Sequence, residues 1–231
     1  MGMPLVERGR GPKGQRLEPP TQWFEVLNIK SDRLRIHSLM GKIRQDAHRL
    51  GGAMNSEPGS IPSSDEVGSR LAIQELLHLH SRALDRQDAA LMKSVYWADA
   101  TVDYGGFKGA AHEFADLVMN ALAAQYELTQ HRVSNTVFVF SSDHHAATES
   151  YVFAKHLRQD AGSEMVFSGR YLDEFHREAG VWKFRRRTVV MDWSRDWVVE
   201  DQRQTGSMAA LTKGRSHPGD PSWAHLDPKG L

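Results

Sequence analysis

The sequence predicts an α+β fold, with helices packed on one face of a curved antiparallel sheet. Two observations predict it. Between residues 64 and 125 the apolar residues recur at helical spacing. Beyond residue 131 the period changes to two, and four long runs of that kind follow, separated by tight turns. Helices first and a meander after is the order of an open sheet covered on one side.

The elements follow in turn. Residues 1–63 read as a basic, disordered extension rich in Gly, Pro and Arg. Within it Leu34, Ile36, Met40 and Ile43 predict a short helix over 29–50, ended by Gly51-Gly52. The change of composition beyond it marks Met54 as an alternative start of the natural protein. Ser64-Asp65-Glu66 starts the first domain helix, with carboxylates at its positive end. Leu71, Ile73, Leu76, Leu77, His80 and Leu84 form its buried stripe. Asp88 caps a second short helix reaching Tyr96, and residues 97–100 turn the chain. Residues 101–104 form a short strand ended by Gly105-Gly106, and a third helix spans 110–125. Strands are predicted over 131–140, 145–158, 164–177 and 181–193. The folded domain runs from 64 to 200, and residues 201–231 form a polar tail with Trp223 as an anchor.

Composition excludes several function classes. Formal net charge is zero, yet residues 1–53 hold ten Lys and Arg against five Asp and Glu. The remainder is mildly acidic, which argues against a nucleic-acid partner. There is no cysteine, so disulfides, thiolate metal sites and cysteine nucleophiles are excluded. No apolar run approaches the ~18 residues of a membrane span, and the N-terminus lacks the apolar stretch of a secretory signal. No membrane association is expected, and the expected location is the cytoplasm. The sequence has no Walker loop, GxGxxG, GxSxG or HExxH. His144 and His145 are adjacent on a strand and project to opposite faces, which does not suit a metal. Neither a metal nor an organic cofactor is expected.

Alternation along the strands decides which residues share a face. Ser150, Val152, Ala154 and His156 fall together and suit a cavity lining. Glu149, Tyr151, Phe153 and Lys155 fall on the opposite face, where the aromatics would need a neighbouring subunit. On the last strand Arg185, Arg187, Val189 and Met191 are expected on one face. A cone can thus be built with Asp85 from the first helix and Tyr104, His131, His156 and Arg187 from strands. A His–Asp pair is a general base, since the carboxylate fixes the tautomer and stabilises the imidazolium. A tyrosine or second histidine can hydrogen-bond a substrate oxygen, and an arginine stays charged in an apolar cavity. Each residue also has an ordinary reading: a cap for Asp85, a strand end for His131, a core phenol for Tyr104, a solvated strand residue for Arg187.

These spacings resemble the SnoaL-like branch of the nuclear-transport-factor-2-like fold, notably scytalone dehydratase and hexachlorocyclohexane dehydrochlorinase. Leu84-Asp85-Arg86-Gln87-Asp88 resembles the helix end that carries the catalytic aspartate of that family. Asp103-Tyr104 is similar to the strand with a substrate-binding tyrosine, and Thr129-Gln130-His131 to the segment with the catalytic histidine. His156 follows at the interval of the dehydratase's second histidine. Gly180-Val181-Trp182-Lys183-Phe184 resembles the opening of the last strand, and Arg187 falls where the dehydrochlorinase has its arginine. The departures are Leu84, where the dehydratase has a tyrosine, and Gly169 and Tyr171, where it has serine and asparagine. Residues 169–173, 190–194, 215–217 and 220–222 resemble the subgroup that contains γ-formaldehyde lyases acting on lignin-derived diaryl propanediols.

The resemblance implies a cone-shaped domain around a deep apolar pocket, assembled as a homotrimer or homodimer. It also implies cofactor-free elimination by His131 and Asp85. Tyr104 and His156 would hold the oxygen, Arg187 and Tyr171 would stabilise negative charge, and Val152 and Ala154 would line the pocket. The expected substrate is a small apolar, aromatic alcohol, with a lignin-derived diaryl propanediol as the specific reading. Two other classes share this fold: a non-catalytic pocket or assembly module, and the small subunit of an aromatic-ring dioxygenase with an iron-bearing partner.

Overall fold

The computed structural model describes residues 57–216 and 219–227. The helix expected over 29–50 and the alternative start at Met54 lie outside them. Helix α1 spans Ser64–Asp85, α2 Ala89–Ser94 and α3 Ala111–Gln125. The strands are β1 Tyr96–Asp103, β2 Lys108–Ala110, β3 Tyr126–Ser142, β4 His145–Arg158, β5 Ser163–Glu178 and β6 Val181–Val198. They form one sheet in the order β2-β1-β6-β5-β4-β3. Every neighbouring pair is antiparallel except β1 and β6, which run parallel.

Local chemistry sets the helix ends. Ser63, one residue before the expected start, caps α1 by accepting from the Glu66 amide at 3.2 Å. The buried positions of α1 include Glu66, Ser69, Ile73, Leu77, His80 and Leu84, a spacing of three and four. Leu71, expected on that stripe, is exposed on the far side. Gln87 then takes a left-handed backbone, and Asp88 caps α2 through the Leu91 amide at 2.9 Å. The cap is as expected, but α2 stops at Ser94. Residues 97–100 continue as strand rather than turning, because Tyr96, Ala100 and Val102 all find the core.

The meander from β3 to β6 follows the expected runs, with ends extended by up to five residues. Ala179 and Gly180 both have positive φ and close a two-residue hairpin between Glu178 and Val181. Alternation in β4 holds throughout: Ala146, Thr148, Ser150, Val152, Ala154 and His156 are buried. In β6 it fails first at Arg185. Phe175 pairs with Phe184 but Glu174 pairs with Arg186, so Arg185 is an extra residue in a bulge. Trp182, Phe184 and Arg187 therefore share the concave face, while Arg185 turns outward to pair with Asp99. The expectation that Arg185 and Arg187 share a face is corrected by that one residue.

The core lies between the helices and the concave face, with Ile73, Leu77, Phe114, Val118, Phe175 and Phe184 among its members. Tyr151 on the convex face remains half-exposed, as do Trp193 and Trp197. A second bulge lies at Gly169. There a Cβ would come 2.2 Å from the Val190 carbonyl oxygen and 2.8 Å from the Phe167 ring. The obstacle is backbone, which cannot swing aside. Gly169→Ala should therefore lower unfolding free energy by about 1–3 kcal/mol, read as a lower guanidinium midpoint.

Candidate functional site

Asp85 is the last residue of α1, and its carboxylate reaches across to β3. It accepts three hydrogen bonds there: from Thr129 Oγ1 at 2.9 Å, from the His131 amide at 2.9 Å and from His131 Nδ1 at 2.6 Å. An ionised carboxylate can only accept, so Nδ1 carries the proton and Nε2 keeps a free lone pair. Both side chains are largely buried, at 8% and 13% exposure. Thr129 and His131 are two apart on one strand and so present the same face to Asp85.

The register of β3 and β4 builds the next wall. Thr129 pairs with His156, His131 with Ala154, and Val133 with Val152. Val152 and Ala154 are buried beside the pair. The His156 ring stands edge-on to His131, centroids 5.2 Å apart, and packs against Tyr126 at 4.9 Å. Its Nδ1 is buried without a partner. Burial, and then the charge of His131, push the His156 pKa down to about 3, so the ring is neutral near pH 7.

Arg187 is fully buried, and it is not an unpaired cation facing a cavity. Nε and Nη2 donate to the two oxygens of Asp173, each at 2.7 Å, in a bidentate pair directly across from β5 to β6. Nη1 donates to His80 Nδ1 at 2.9 Å. The guanidinium lies 3.9 Å from the Tyr171 ring centroid and 4.6 Å from that of Phe184. Burial would lower its pKa, but the Asp173 carboxylate holds it well above the ordinary value. Because a guanidinium only donates, His80 Nδ1 must be an acceptor and Nε2 carries the hydrogen. Burial first, then Arg187 and His131, hold the His80 pKa well below its usual value.

The phenols stand around this pair. Tyr96, Tyr104 and Tyr171 each have their pKa raised, by burial first of all, so all three remain protonated donors. Tyr104 stacks on Phe114 at 4.0 Å, and its buried hydroxyl faces the Arg187 guanidinium and the Tyr96 hydroxyl. The eight residues singled out from sequence thus fall into two groups. Asp85, His131, His156, Val152 and Ala154 surround one imidazole; Tyr104, Tyr171 and Arg187 gather at a guanidinium.

Sequence reasoning missed Thr129, His80, Tyr96 and Asp173. Thr129 had the signal of i,i+2 spacing to His131. His80 was visible only as one more member of the buried stripe. Which arginine Asp173 meets depends on the bulge at Arg185, which leaves no mark in the sequence. The tail, whose expected anchor is Trp223, packs on the end of α1. Arg203 pairs with Glu127 at 2.8 Å, Arg86 with Asp220 at 3.3 Å, and Arg82 Nη1 donates to Ser222 Oγ at 3.2 Å. The Arg82 guanidinium lies 5.8 Å from the Trp223 ring. Burial opposes ionisation of Asp220, but hydrogen bonds from Ser222 and the Arg215 amide bring its pKa to about 2.

Among the described residues no group of three or more His, Asp or Glu is placed to hold a metal ion. No helix among them is long and apolar enough to cross a membrane.

A family model described as a SnoaL-like domain matches residues 65–188. The chain is 26% identical over 132 residues to gamma-hexachlorocyclohexane dehydrochlorinase of Sphingobium indicum, covering 56% of this chain and 84% of that one. A type 2 hexachlorocyclohexane dehydrochlorinase structure is similar at TM-score 0.55 and 25% identity, covering 59% of this chain and 93% of that one. A structure assigned as a scytalone dehydratase, from Novosphingobium aromaticivorans, matches at TM-score 0.54 and 23% identity over 59% of this chain and 92% of its own, a likeness of fold.

The neutral histidines carry a pH dependence. Unfolded His156 titrates near its ordinary value of 6.5, whereas the folded side chain titrates at about 3. Between those values the unfolded chain binds a proton that the folded one refuses, so stability falls as pH falls. From pH 7 to pH 5 His156 alone should remove about 2 kcal/mol of unfolding free energy. Denaturant titrations at the two pH values check this, and His156→Gln should flatten the slope.

Proposed function

The chain belongs to the SnoaL-like domain family, and from that premise we propose that it is a cofactor-independent lyase working through His131 and Asp85. The observation that carries the reading is the carboxylate with three donors on it, one of them Nδ1 of an imidazole whose Nε2 is left free. That is the geometry of a general base: Nε2 takes a proton, and Asp85 stabilises the imidazolium that results. The similarity to dehydrochlorinases of the same family supports elimination as the reaction class.

The substrate reading is a small, apolar, aromatic alcohol, and most specifically a lignin-derived diaryl propanediol. In that version His131 Nε2 takes the γ-hydroxyl proton. The electron pair forms the C=O of formaldehyde as the C–C bond breaks, the released pair forms the alkene, and the adjacent hydroxyl leaves. His131 returns its proton to that hydroxyl as water, so the base is regenerated. Tyr104 and His156 would hold the leaving oxygen, and Tyr171 with Arg187 would receive the developing negative charge. Val152 and Ala154 supply the apolar wall. A homotrimer or homodimer packed through the convex face, where Tyr151, Trp193 and Trp197 are half-exposed, belongs to the same proposal.

The test is incubation with aromatic diols and chlorinated cyclohexanes, assayed for formaldehyde, chloride and new conjugated absorbance. His131→Ala should lower the turnover found by roughly 10²–10⁴-fold with the melting temperature retained. A His131→Ala protein with full turnover sinks the mechanism.

A further inference from the structure

One pair of histidines plays no part in the reaction above. His145 opens β4 and His176 stands near the end of β5, and the register sets them directly opposite each other. Their neighbours Ala146 and Phe175 point into the cone, so both imidazoles lie on the convex face. The ring centroids are 4.2 Å apart, with 31° between the planes. Among the described residues neither ring takes part in a hydrogen bond or an ion pair. His144, the sequence neighbour of His145, lies in the turn and outside the pair. The backbone beneath is pinned: Trp97 Nε1 donates to the His176 carbonyl at 3.1 Å, and the Arg177 amide to the His144 carbonyl at 2.8 Å. The chain therefore fixes the spacing of two imidazoles before any ligand arrives.

The electrostatics keep their lone pairs available. Burial first, then His145 and Arg185, hold the His176 pKa below its ordinary value, against Glu174 and Glu178. Near pH 7 that ring is neutral, the form that binds a metal. Two cations beside the pair are engaged elsewhere: Arg185 pairs with Asp99, and Lys183 lies over the Trp97 ring at 5.2 Å. Glu174 and Glu178 flank His176 on the same face, two residues away on either side, and their charge favours a cation. Two metal–nitrogen bonds of about 2.0–2.1 Å at a tetrahedral angle need nitrogens roughly 3.4 Å apart. The exposed ring of His145 reaches that spacing from its present 4.2 Å by a small turn. We infer that His145 and His176 form a two-ligand clip for a borderline divalent transition-metal ion, Zn²⁺ or Cu²⁺, remote from the His131–Asp85 pair. Among the described residues no third His, Asp or Glu completes the set, so water fills the remaining positions. The ion joins β4 to β5 and stabilises the fold by mass action. The clip does not rest on the lyase reading and needs no turnover.

Zn²⁺ is the probe, because it has no redox chemistry of its own. The full chain, stripped of metal with a chelator and labelled with ¹⁵N-histidine, is titrated with zinc chloride. One equivalent should move the ring resonances of His145 and His176 and leave those of His131 and His156 in place. By calorimetry, His145→Ala and His176→Ala should each weaken zinc binding by about tenfold or more, while His144→Ala should not. Zinc should raise the melting temperature of the parent protein and of neither clip variant. Either clip variant alone keeps the test open if the other fails to fold. Zinc that does not bind, resonance changes confined to His131 or His156, or unchanged affinity in the clip variants would overturn the inference.

Discussion

Two full charges, Arg187 and Asp173, sit inside an apolar cone with no exposure at all. Removing both from water is costly, and only near-ideal geometry repays it. The structure supplies that geometry: two parallel hydrogen bonds of 2.7 Å between directly opposed strand residues, with a third donor satisfied by His80. The aromatic rings of Tyr171 and Phe184 pack on the guanidinium and complete its surroundings. Much of the interior follows from this pair. It settles the tautomer of His80, sets the field in which Tyr96 and Tyr104 stand, and ties β5 to β6 where the sheet curves.

A bulge one residue long makes the pair possible. Counted from the Ala179-Gly180 turn, strict alternation would bring Arg186 inward beside Phe184 and put Asp173 opposite it. The extra residue at Arg185 shifts the register and brings Arg187 in instead. A two-residue period cannot reveal where it will be interrupted. That is why the partner of Asp173 could not be read from sequence, while His156 and Ala154, on the uninterrupted β4, were placed on one face by alternation alone. Arg187 was singled out by its place on the last strand and again by the family resemblance, and its charge partner was not. The helices were legible for a related reason: Asp88 is a local cap and Ser64-Asp65-Glu66 falls within one residue of the true start, and such signals are read from a few adjacent residues. The parallel pairing of β1 with β6 joins segments some eighty residues apart and leaves no local mark.

Asp85 has a different origin and obeys a different constraint. A carboxylate at the C-terminal end of a helix opposes the helix dipole, and Arg82 and Arg86 close by are engaged with the tail. Three hydrogen bonds from β3 offset that disadvantage. Such a residue is locally out of place and globally well held, the pattern that the proposed role of Asp85 would leave.

Among the described residues, His80, His131 and His156 line the interior and differ in their partners. His80 meets a guanidinium, so a second proton on its ring would face a full positive charge at 2.9 Å. His156 meets the Met165 backbone, aromatic neighbours and the ring of His131 but no carboxylate, so a proton there would be desolvated and its charge uncompensated. His131 alone meets a carboxylate, at 2.6 Å. A proton released in the cone therefore has one imidazole on which its charge is compensated. Protonating His131 in turn raises the cost of a charge on either neighbour, since both already feel it. Identity of residue type is shared by all three; the site becomes directional because helix, bulge and strand register give each ring a different counterpart.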